Sequence, residues 1–126
     1  MQLTTIKTNL APAPIGPYSQ AVVANGILYV SGQIPLDPAD GSFKNDNIEA
    51  ETIQVMKNLK AILEDAGTTF DKAIKTTIFL TDMALFAQVN EIYGSYFSTH
   101  FPARETVAVK GLPKGANVEI SMIVAI

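Results

Sequence analysis

The chain of 126 residues contains no cysteine and only one histidine, His100. The missing thiols exclude disulfide bonds, thiolate catalysis and zinc–thiolate sites. A single histidine also excludes a histidine-rich metal cluster within one chain.

Long apolar runs and blocks of positive charge are missing as well. No apolar stretch approaches the roughly 18 residues that a bilayer-spanning helix needs, and the first residues lack the basic and apolar regions of a secretory signal. The net charge is −3 without a basic block, so the usual electrostatic footprint of a nucleic-acid-binding protein is absent. We expect a cytoplasmic protein that binds neither membranes nor nucleic acids.

The composition fits a single domain over residues 1–126. The length is close to the commonest domain size. With 48% hydrophobic and 17% charged residues, the chain is somewhat apolar for a monomer. This excess indicates that other subunits cover part of the apolar surface.

Apolar periodicity and turn residues predict an α+β protein with the order β-β-β-α-β-α-β-β. The predicted strands are a hairpin closed by Asn25-Gly26, a strand over 73–80, a short strand over 105–109 and a final strand over 118–126. The first predicted helix covers about 48–66 and ends before Gly67. The second is capped by Asp82 and has an apolar face at Phe86, Val89, Tyr93 and Phe97. The helices are expected on one side of the sheet.

The final strand has two apolar faces. Val118, Ile120, Met122, Val124 and Ile126 alternate along it and should face the core under the helices. The opposite face carries Glu119 with small or apolar neighbours and is too apolar to remain in water. Because two helices cover only one side of a sheet, we expect another subunit on the other side.

Arg104 is the only arginine, while eight lysines supply the other fixed positive charges. The planar guanidinium group binds a carboxylate through two parallel hydrogen bonds, which lysine cannot do. On a strand, Arg104 shares a face with Thr106 and opposes Glu105. Its role is either a clamp for a carboxylate ligand or an ordinary salt bridge to a neighbouring acid.

Glu119 is the second candidate, because a lone carboxylate within an uncharged strand is costly to bury without a partner. It could act as a general base or acid in a partly desolvated site. Alternatively, it could be the ion-pair partner of Arg104.

Three other positions combine unusual features with simple structural explanations. Asn90 interrupts the apolar face of the second helix, so its amide either caps a loop or faces a pocket. Tyr18 follows a proline-rich loop and is either a positioned ring or an ordinary core aromatic. The Ser31-Gly32 pair lies within a strand, where glycine often marks a close approach of backbone or ligand.

Five phrases together resemble the reactive-intermediate deaminase (Rid) family, the 2-iminobutanoate/2-iminopropanoate deaminases, over essentially the whole chain. They are Ile15-Gly16-Pro17-Tyr18-Ser19-Gln20-Ala21-Val22, Ser31-Gly32-Gln33-Ile34-Pro35, Val89-Asn90-Glu91-Ile92-Tyr93, Pro102-Ala103-Arg104 and Val118-Glu119-Ile120. The resemblance implies a chorismate-mutase-like fold with a six-stranded mixed sheet. It also implies a homotrimeric barrel with clefts between subunits.

The same resemblance implies hydrolysis of reactive 2-enamino and 2-imino acids to 2-keto acids and ammonia, without a cofactor or metal. By position, Arg104 would bind the substrate carboxylate and Glu119 would activate water. Lining residues of the cleft would be Tyr18, Ser31, Gly32, Asn90 and Thr106. Two alternatives remain: a non-catalytic module that senses keto acids and, on weaker grounds, an endoribonuclease or translation inhibitor.

Overall fold

The computed structural model describes residues 2–126, and the elements follow the predicted order. The strands are β1 (Thr4–Ile6), β2 (Ala21–Ala24), β3 (Ile27–Gln33), β4 (Ala73–Leu80), β5 (Ala103–Ala108) and β6 (Val118–Ala125), and the α-helices are α1 (Ile48–Asp65) and α2 (Phe86–Gly94). The predicted fold class, a six-stranded mixed sheet with two helices on one face, is confirmed.

The sheet has the order β1-β2-β3-β6-β4-β5, so the last strand lies in the interior and β5 forms an edge. All neighbouring strands are antiparallel except β4 and β5, which are parallel. A parallel pair needs a crossover connection. Here α2 lies within that crossover, which brings the helix close to the start of β5.

The hairpin between β2 and β3 turns at Asn25 and Gly26, as the sequence predicts. Both residues have positive φ angles, 51° and 75°. A type I′ turn requires this conformation at both central positions, and the Asn-Gly pair adopts it at low cost. The turn therefore fixes the register with which β3 enters the sheet.

Helix α1 provides the largest part of the core on the helix side. The Asn47 side chain caps its first turn by accepting a hydrogen bond from the Ala50 amide at 2.7 Å. Fully buried apolar residues of the helix then recur at helical spacing: Val55, Met56, Leu59, Ile62 and Leu63. Gly67, with φ of 80°, follows the helix as predicted. No helix within residues 2–126 is long and apolar enough to cross a membrane.

The second helix is shorter than the sequence predicts. A 3₁₀ turn, Met83–Leu85, intervenes, and the Asp82 carboxylate caps that turn through the Ala84 amide. Helix α2 then ends at Gly94, so the buried ring of Phe97 lies beyond it rather than on its face. Phe97 still follows the apolar spacing of the helix, because tight turns that bond Ser95, Tyr96 and Phe97 to carbonyls three residues earlier continue the coiled path of the chain.

Strand β5 begins earlier than predicted, at Ala103 instead of position 105. Its parallel pairing with β4 starts at Lys75 and Ala103, directly after Pro102, whose missing N–H cannot join the ladder. Arg104 lies on this strand as expected, as its second residue.

Strand β6 alternates as predicted between a buried face and a half-buried face. Its residues Val118, Ile120, Met122 and Val124 are at most 2% exposed. Ile126 is an exception: the strand ends at Ala125 and Ile126 is 45% exposed, so its predicted place in the core is wrong. The opposite face of the sheet, which we call the open face, is covered by neither α1 nor α2.

Candidate functional site

The sheet register places Arg104 on the helix side of β5. Arg104 pairs with Thr76 of β4, whose side chain is buried beneath α2 and hydrogen-bonded to Tyr93. Directly registered residues of neighbouring strands point to the same face. Glu105 accordingly points the other way and contacts Lys75 and Thr77 on the open face. The prediction that Glu105 points away from Arg104 is confirmed.

The guanidinium group of Arg104 is held by three side chains of α2. Its Nη1 donates a 2.6 Å hydrogen bond to Asn90 Oδ1. Its Cζ lies over the rings of Phe86 and Tyr93, 5.4 and 5.3 Å from the ring centroids. These contacts leave most of the guanidinium donors unused within residues 2–126.

A cavity of ≈ 430 Å³ opens beside the guanidinium group. Its lining residues are Asn90, Tyr93, Gly94, Phe101, Pro102 and Arg104. The guanidinium group of Arg104, the amide of Asn90 and the aromatic rings of Tyr93 and Phe101 thus surround a space that can hold a small organic acid.

The salt-bridge alternative for Arg104 is wrong within the described chain. The ion pairs among residues 2–126 all use Lys44 or Lys75. Asn90 interrupts the apolar face of the second helix because its exposed side chain lines the cavity and accepts a hydrogen bond from Arg104. Asn90 therefore orients the Arg104 guanidinium group rather than capping a loop.

Thr106 lies two residues after Arg104 on the same face. Its Oγ1 is buried and has no hydrogen-bond partner among residues 2–126. A buried hydroxyl without a partner costs stability. This position is therefore suited to meet a polar group that the rest of the described chain does not supply.

Glu119 lies on the open face, because it pairs with Phe79 rather than with Thr76 or Ile78. The carboxylate is half-buried, and it forms no ion pair or hydrogen bond with any other residue in 2–126. Burial raises the pKa of Glu119 above its ordinary value of 4.5. A carboxyl group that ionises less readily is suited to exchange protons with a substrate.

The backbone of Gly32 lies directly against the Glu119 side chain. A β-bulge interrupts the pairing of β3 with β6 between Val30 and Gln33 and carries Gly32 toward β6. A Cβ built on Gly32 would collide with Glu119 Oε2 and lie 2.8 Å from its Cδ. The glycine therefore allows the carboxylate to lie directly over the backbone, as its unusual place in a strand suggested.

Ser31 and Tyr18 border the same side. Ser31 Oγ donates to the Ser19 carbonyl at 2.7 Å, which fixes the residue after Tyr18 against the sheet. Tyr18 itself is 51% exposed, so its interpretation as a core aromatic is wrong. The ring is available to a ligand or to a neighbouring molecule.

The buried amide of Gln20 fastens the proline-rich loop that leads to Tyr18. Its Nε2 donates to the carbonyls of Thr8, Ala11 and Pro12, and its Oε1 accepts from the Thr8 amide at 2.7 Å. One side chain thereby satisfies several backbone groups of a loop that has no ladder partners.

The structure thus divides the candidate residues into two groups. The arginine side contains Arg104, Asn90 and Thr106 on the helix side of the sheet. The carboxylate side contains Glu119, Gly32 and Ser31 on the open face, with Tyr18 on the adjoining loop. The idea that Glu119 is the ion-pair partner of Arg104 in one chain is therefore wrong.

Phe86 and Tyr93 are the functional neighbours that sequence reasoning missed. Both were assigned to the apolar face of the second helix, which is correct for their spacing. Their separation of seven residues, two helical turns, places them on one side of α2 next to β5. Aromatic residues at that spacing before a lone arginine were the signal that could have indicated the contact. Residues 2–126 contain no cluster of three or more metal-ligating side chains.

Comparison with known proteins gives consistent matches over almost the whole chain. A family model described as endoribonuclease L-PSP matches residues 8–126. The RutC family protein y4sK of Sinorhizobium fredii is 49% identical over 121 residues, which cover 96% of each chain. AldR of Lactococcus lactis, named as a proposed regulator, is 52% identical over 118 residues, 94% of each chain.

A solved structure agrees with these sequence matches. The crystal structure of YyfA from Yersinia pestis, described as a protein of the conserved Rid family, has a TM-score of 0.97 and 53% sequence identity to this chain. The match covers 99% of this chain and 100% of YyfA. The resemblance that the five sequence phrases indicated is confirmed.

Proposed function

This chain belongs to the endoribonuclease L-PSP family, which includes Rid and RutC proteins, and from that premise we propose that it hydrolyses 2-imino and 2-enamino acids. The products are a 2-keto acid and ammonia. The preferred substrates are small, 2-iminobutanoate and 2-iminopropanoate, in keeping with the resemblance of the five phrases to deaminases of these acids.

The observation that carries the proposal is the state of Arg104. The only arginine of the chain is oriented by an amide and two rings, yet no carboxylate within residues 2–126 pairs with it. A guanidinium group held in this way is preorganised for a carboxylate ligand. Every 2-imino acid carries a carboxylate next to the reacting carbon, so the clamp would fix the position of that carbon.

Glu119 supplies the proton transfers in the proposed reaction. As a carboxylate it accepts a proton from water while the water oxygen bonds to the carbon of the protonated imine and the electrons of the C=N π bond pass to nitrogen. It then delivers that proton to the nitrogen of the resulting carbinolamine. The C–N bond breaks to release ammonia, and the C=O bond forms as the hydroxyl proton passes back to the carboxylate. The imine carbon is already electrophilic, so no covalent nucleophile is required.

Two copies are needed if Arg104 and Glu119 act on the same small molecule. Side chains on opposite faces of one sheet point apart, and an imino acid is too small to reach around it. A cleft that combines the arginine side of one subunit with the carboxylate side of its neighbour meets this requirement. This supports the homotrimer with inter-subunit clefts, in which the apolar open face is covered.

The remaining candidates then have defined places in the proposed cleft. Thr106 offers a buried hydroxyl beside Arg104, and Asn90 orients the guanidinium group. Gly32 and Ser31 lie with Glu119, where backbone groups around the bulge can hydrogen-bond the ligand. Tyr18 presents an exposed ring to close the cleft.

A coupled assay tests this function. A threonine or serine dehydratase generates the imine, semicarbazide traps part of it, and the rate of trapping is followed with and without the purified protein. We expect the protein to lower the trapping rate by speeding release of the keto acid. If the folded protein leaves the rate of imine trapping unchanged at every protein concentration, the proposed activity is wrong.

A keto-acid-binding regulator is the second candidate, because the oriented guanidinium group of Arg104 would bind a keto acid without any chemistry. The name of AldR as a proposed regulator is consistent with it. Calorimetric binding of 2-oxobutanoate that Arg104→Ala abolishes, together with no effect on imine trapping, would favour this role.

RNA cleavage, which the family description mentions, is not our proposal. The net charge of −3 and the lone arginine offer little to a polyphosphate backbone. An RNA affinity that falls steeply with salt concentration would restore that candidate.

A further inference from the structure

The rings of Phe86 and Tyr93 place two aromatic faces against one cation. The Arg104 Cζ is 5.4 Å from the first ring centroid and 5.3 Å from the second. Such distances fall within the range in which the negative face of a ring attracts a cation. Two rings in contact with one guanidinium group restrict the positions that this group can take.

Tyr93 is fixed independently of the arginine. Its side chain is buried, and its Oη lies 2.6 Å from the Thr76 hydroxyl. Thr76 is the residue that pairs with Arg104 in the sheet. The Tyr93 ring and the Arg104 side chain are therefore both attached to the sheet at the Thr76–Arg104 pair of β4 and β5.

Burial raises the pKa of the Tyr93 phenol, although the Thr76 hydrogen bond and the charge of Arg104 act in the opposite direction. The phenol consequently stays protonated and neutral at physiological pH. The contact between Tyr93 and Arg104 is therefore between a cation and an uncharged ring, not an ion pair.

We propose that Phe86 and Tyr93 are positioning residues that hold the Arg104 guanidinium group so that the donors not used by Asn90 face the cavity. The inference rests on the proposed function because it takes Arg104 as the carboxylate-binding group. Arginine side chains lose much conformational freedom when a ligand fixes them. A guanidinium group already held by rings avoids that cost when the ligand binds.

The expected consequence is a change in binding rather than in the chemical step. The carboxylate is bound alike before and during the reaction, so loss of positioning raises KM and leaves kcat largely unchanged. A purely structural role of the rings would lower the melting temperature without this division between KM and kcat.

The lone arginine makes a direct measurement possible. The side-chain Nε–H group of Arg104 gives a single arginine signal in a proton–nitrogen NMR spectrum, because the chain has no other arginine. In the unchanged protein we expect a high order parameter and slow hydrogen exchange for this group. This readout does not depend on catalysis or on ligand binding.

The variants are Tyr93→Leu and Phe86→Leu, which remove a ring and keep an apolar side chain. We expect either change to increase exchange of the Arg104 Nε–H group and to raise the Kd for 2-oxobutanoate and the KM by about tenfold. Tyr93→Phe keeps the ring and should retain the affinity to within about twofold. Phe86 is only half-buried, so its variant tests the proposal even if Tyr93→Leu does not fold.

Phe70→Leu is the matched control. Phe70 is a buried aromatic residue that packs against Tyr96 and Phe97 rather than Arg104. It should lower the melting temperature and leave the Arg104 signal and the KM unchanged. Unaltered order and exchange of the Arg104 group in both ring variants would overturn the inference. The proposed function is judged separately, by whether the unchanged protein binds 2-oxobutanoate and speeds imine hydrolysis.

Discussion

Arg104 and Glu119 project from opposite faces of the same sheet. Arg104 is in register with Thr76, beneath α2, whereas Glu119 is in register with Phe79, on the open face. Thr76 and Phe79 are three residues apart on one strand, and side chains alternate along a strand. No rotation of either side chain brings the two groups together on one small molecule.

This separation predicts that two impaired variants restore activity when they share an oligomer. Arg104→Ala and Glu119→Gln are each expected to retain only a small residual rate alone. When they are mixed, denatured and refolded together, random assembly of the proposed trimer should return roughly a quarter of the sites to the native combination. Imine hydrolysis by the mixed sample measures this recovery.

Each variant refolded alone provides the control for the mixing experiment. If native mass spectrometry detects mixed trimers and their activity stays at the level of the separate variants, then the site is not shared between subunits.

Arg104→Lys tests the bidentate fork. Lysine retains the charge but neither the planar fork nor the contacts that this fork makes with the rings of Phe86 and Tyr93. We expect kcat/KM for imine hydrolysis to fall by about 10- to 100-fold, the range for loss of a charge-assisted hydrogen bond. Circular dichroism should show an unchanged fold. Turnover close to that of the unchanged protein would mean that Arg104 supplies only charge.

The raised pKa of Glu119 predicts an acidic limit to activity. In the proposed reaction the carboxylate form accepts the proton of water, so the rate should fall as the pH decreases through the raised pKa, above the ordinary 4.5. A pH profile of kcat/KM measures this limb. The residual rate of Glu119→Gln should not show this decrease at low pH. An identical decrease in the variant would mean that another group titrates.

The same shift has the opposite effect on stability. Burial favours the protonated form in the folded chain, so the unfolded chain loses its proton first as the pH rises. The contribution of Glu119 to stability therefore decreases from about pH 4.5 upward until the folded-state pKa is passed. Urea denaturation at several pH values should show a smaller decrease for Glu119→Gln.

Gly32→Ala should separate activity from stability. The new Cβ would displace the Glu119 carboxylate, a movable group at the end of a side chain, rather than backbone. We expect kcat/KM to fall by at least about tenfold, because a catalytic group misplaced by about 1 Å can cost 100-fold. Gly111→Ala is the control, since its Cβ meets nothing within 4 Å. Equal activity of both variants would remove Gly32 from the site.

Thr106→Val should make the protein more stable and less able to bind its ligand. The substitution keeps the shape of the side chain and removes a buried hydroxyl that has no partner among residues 2–126. We expect the free energy of unfolding to increase by about 1 kcal/mol. Calorimetry should show weaker binding of 2-oxobutanoate.

Thr76→Val is the matched comparison on the neighbouring strand. Thr76 is hydrogen-bonded to Tyr93, so its valine variant should lose about 1 kcal/mol of stability. If Thr106→Val destabilises the protein as much as Thr76→Val does, then the Thr106 hydroxyl is satisfied in the folded protein.

Much of the architecture followed from local sequence signals. The Asn25-Gly26 turn, the capped helix α1 and the alternating strand β6 depend on neighbours within a few residues, and each was predicted correctly apart from Ile126 at the end of β6. The start of β5 and the end of α2 were not. They depend on pairing with β4 and on tight turns after Gly94, which involve tertiary contacts rather than local preference.

The candidate site shows the same division. Arg104 and Glu119 stood out from sequence because charges are rare on this chain's strands. Their placement on opposite faces could not be derived, since it depends on the register of β4 with two different neighbours. The exposure of Asn90 and Tyr18 could not be derived either, because periodicity identifies the side of an element and not what covers that side.

The crossover from β4 to β5 gives the two sides of the site different folding requirements. The arginine, its rings and its amide all come from one continuous stretch around α2 and the start of β5. The carboxylate side instead joins β3, near the beginning of the chain, to β6 at its end. Contacts distant in sequence form late and slowly. On the ribosome, the contacts around Arg104 can therefore form within the short segment from Phe86 to Arg104, whereas those around Glu119 must wait for β6, the last strand to be synthesised.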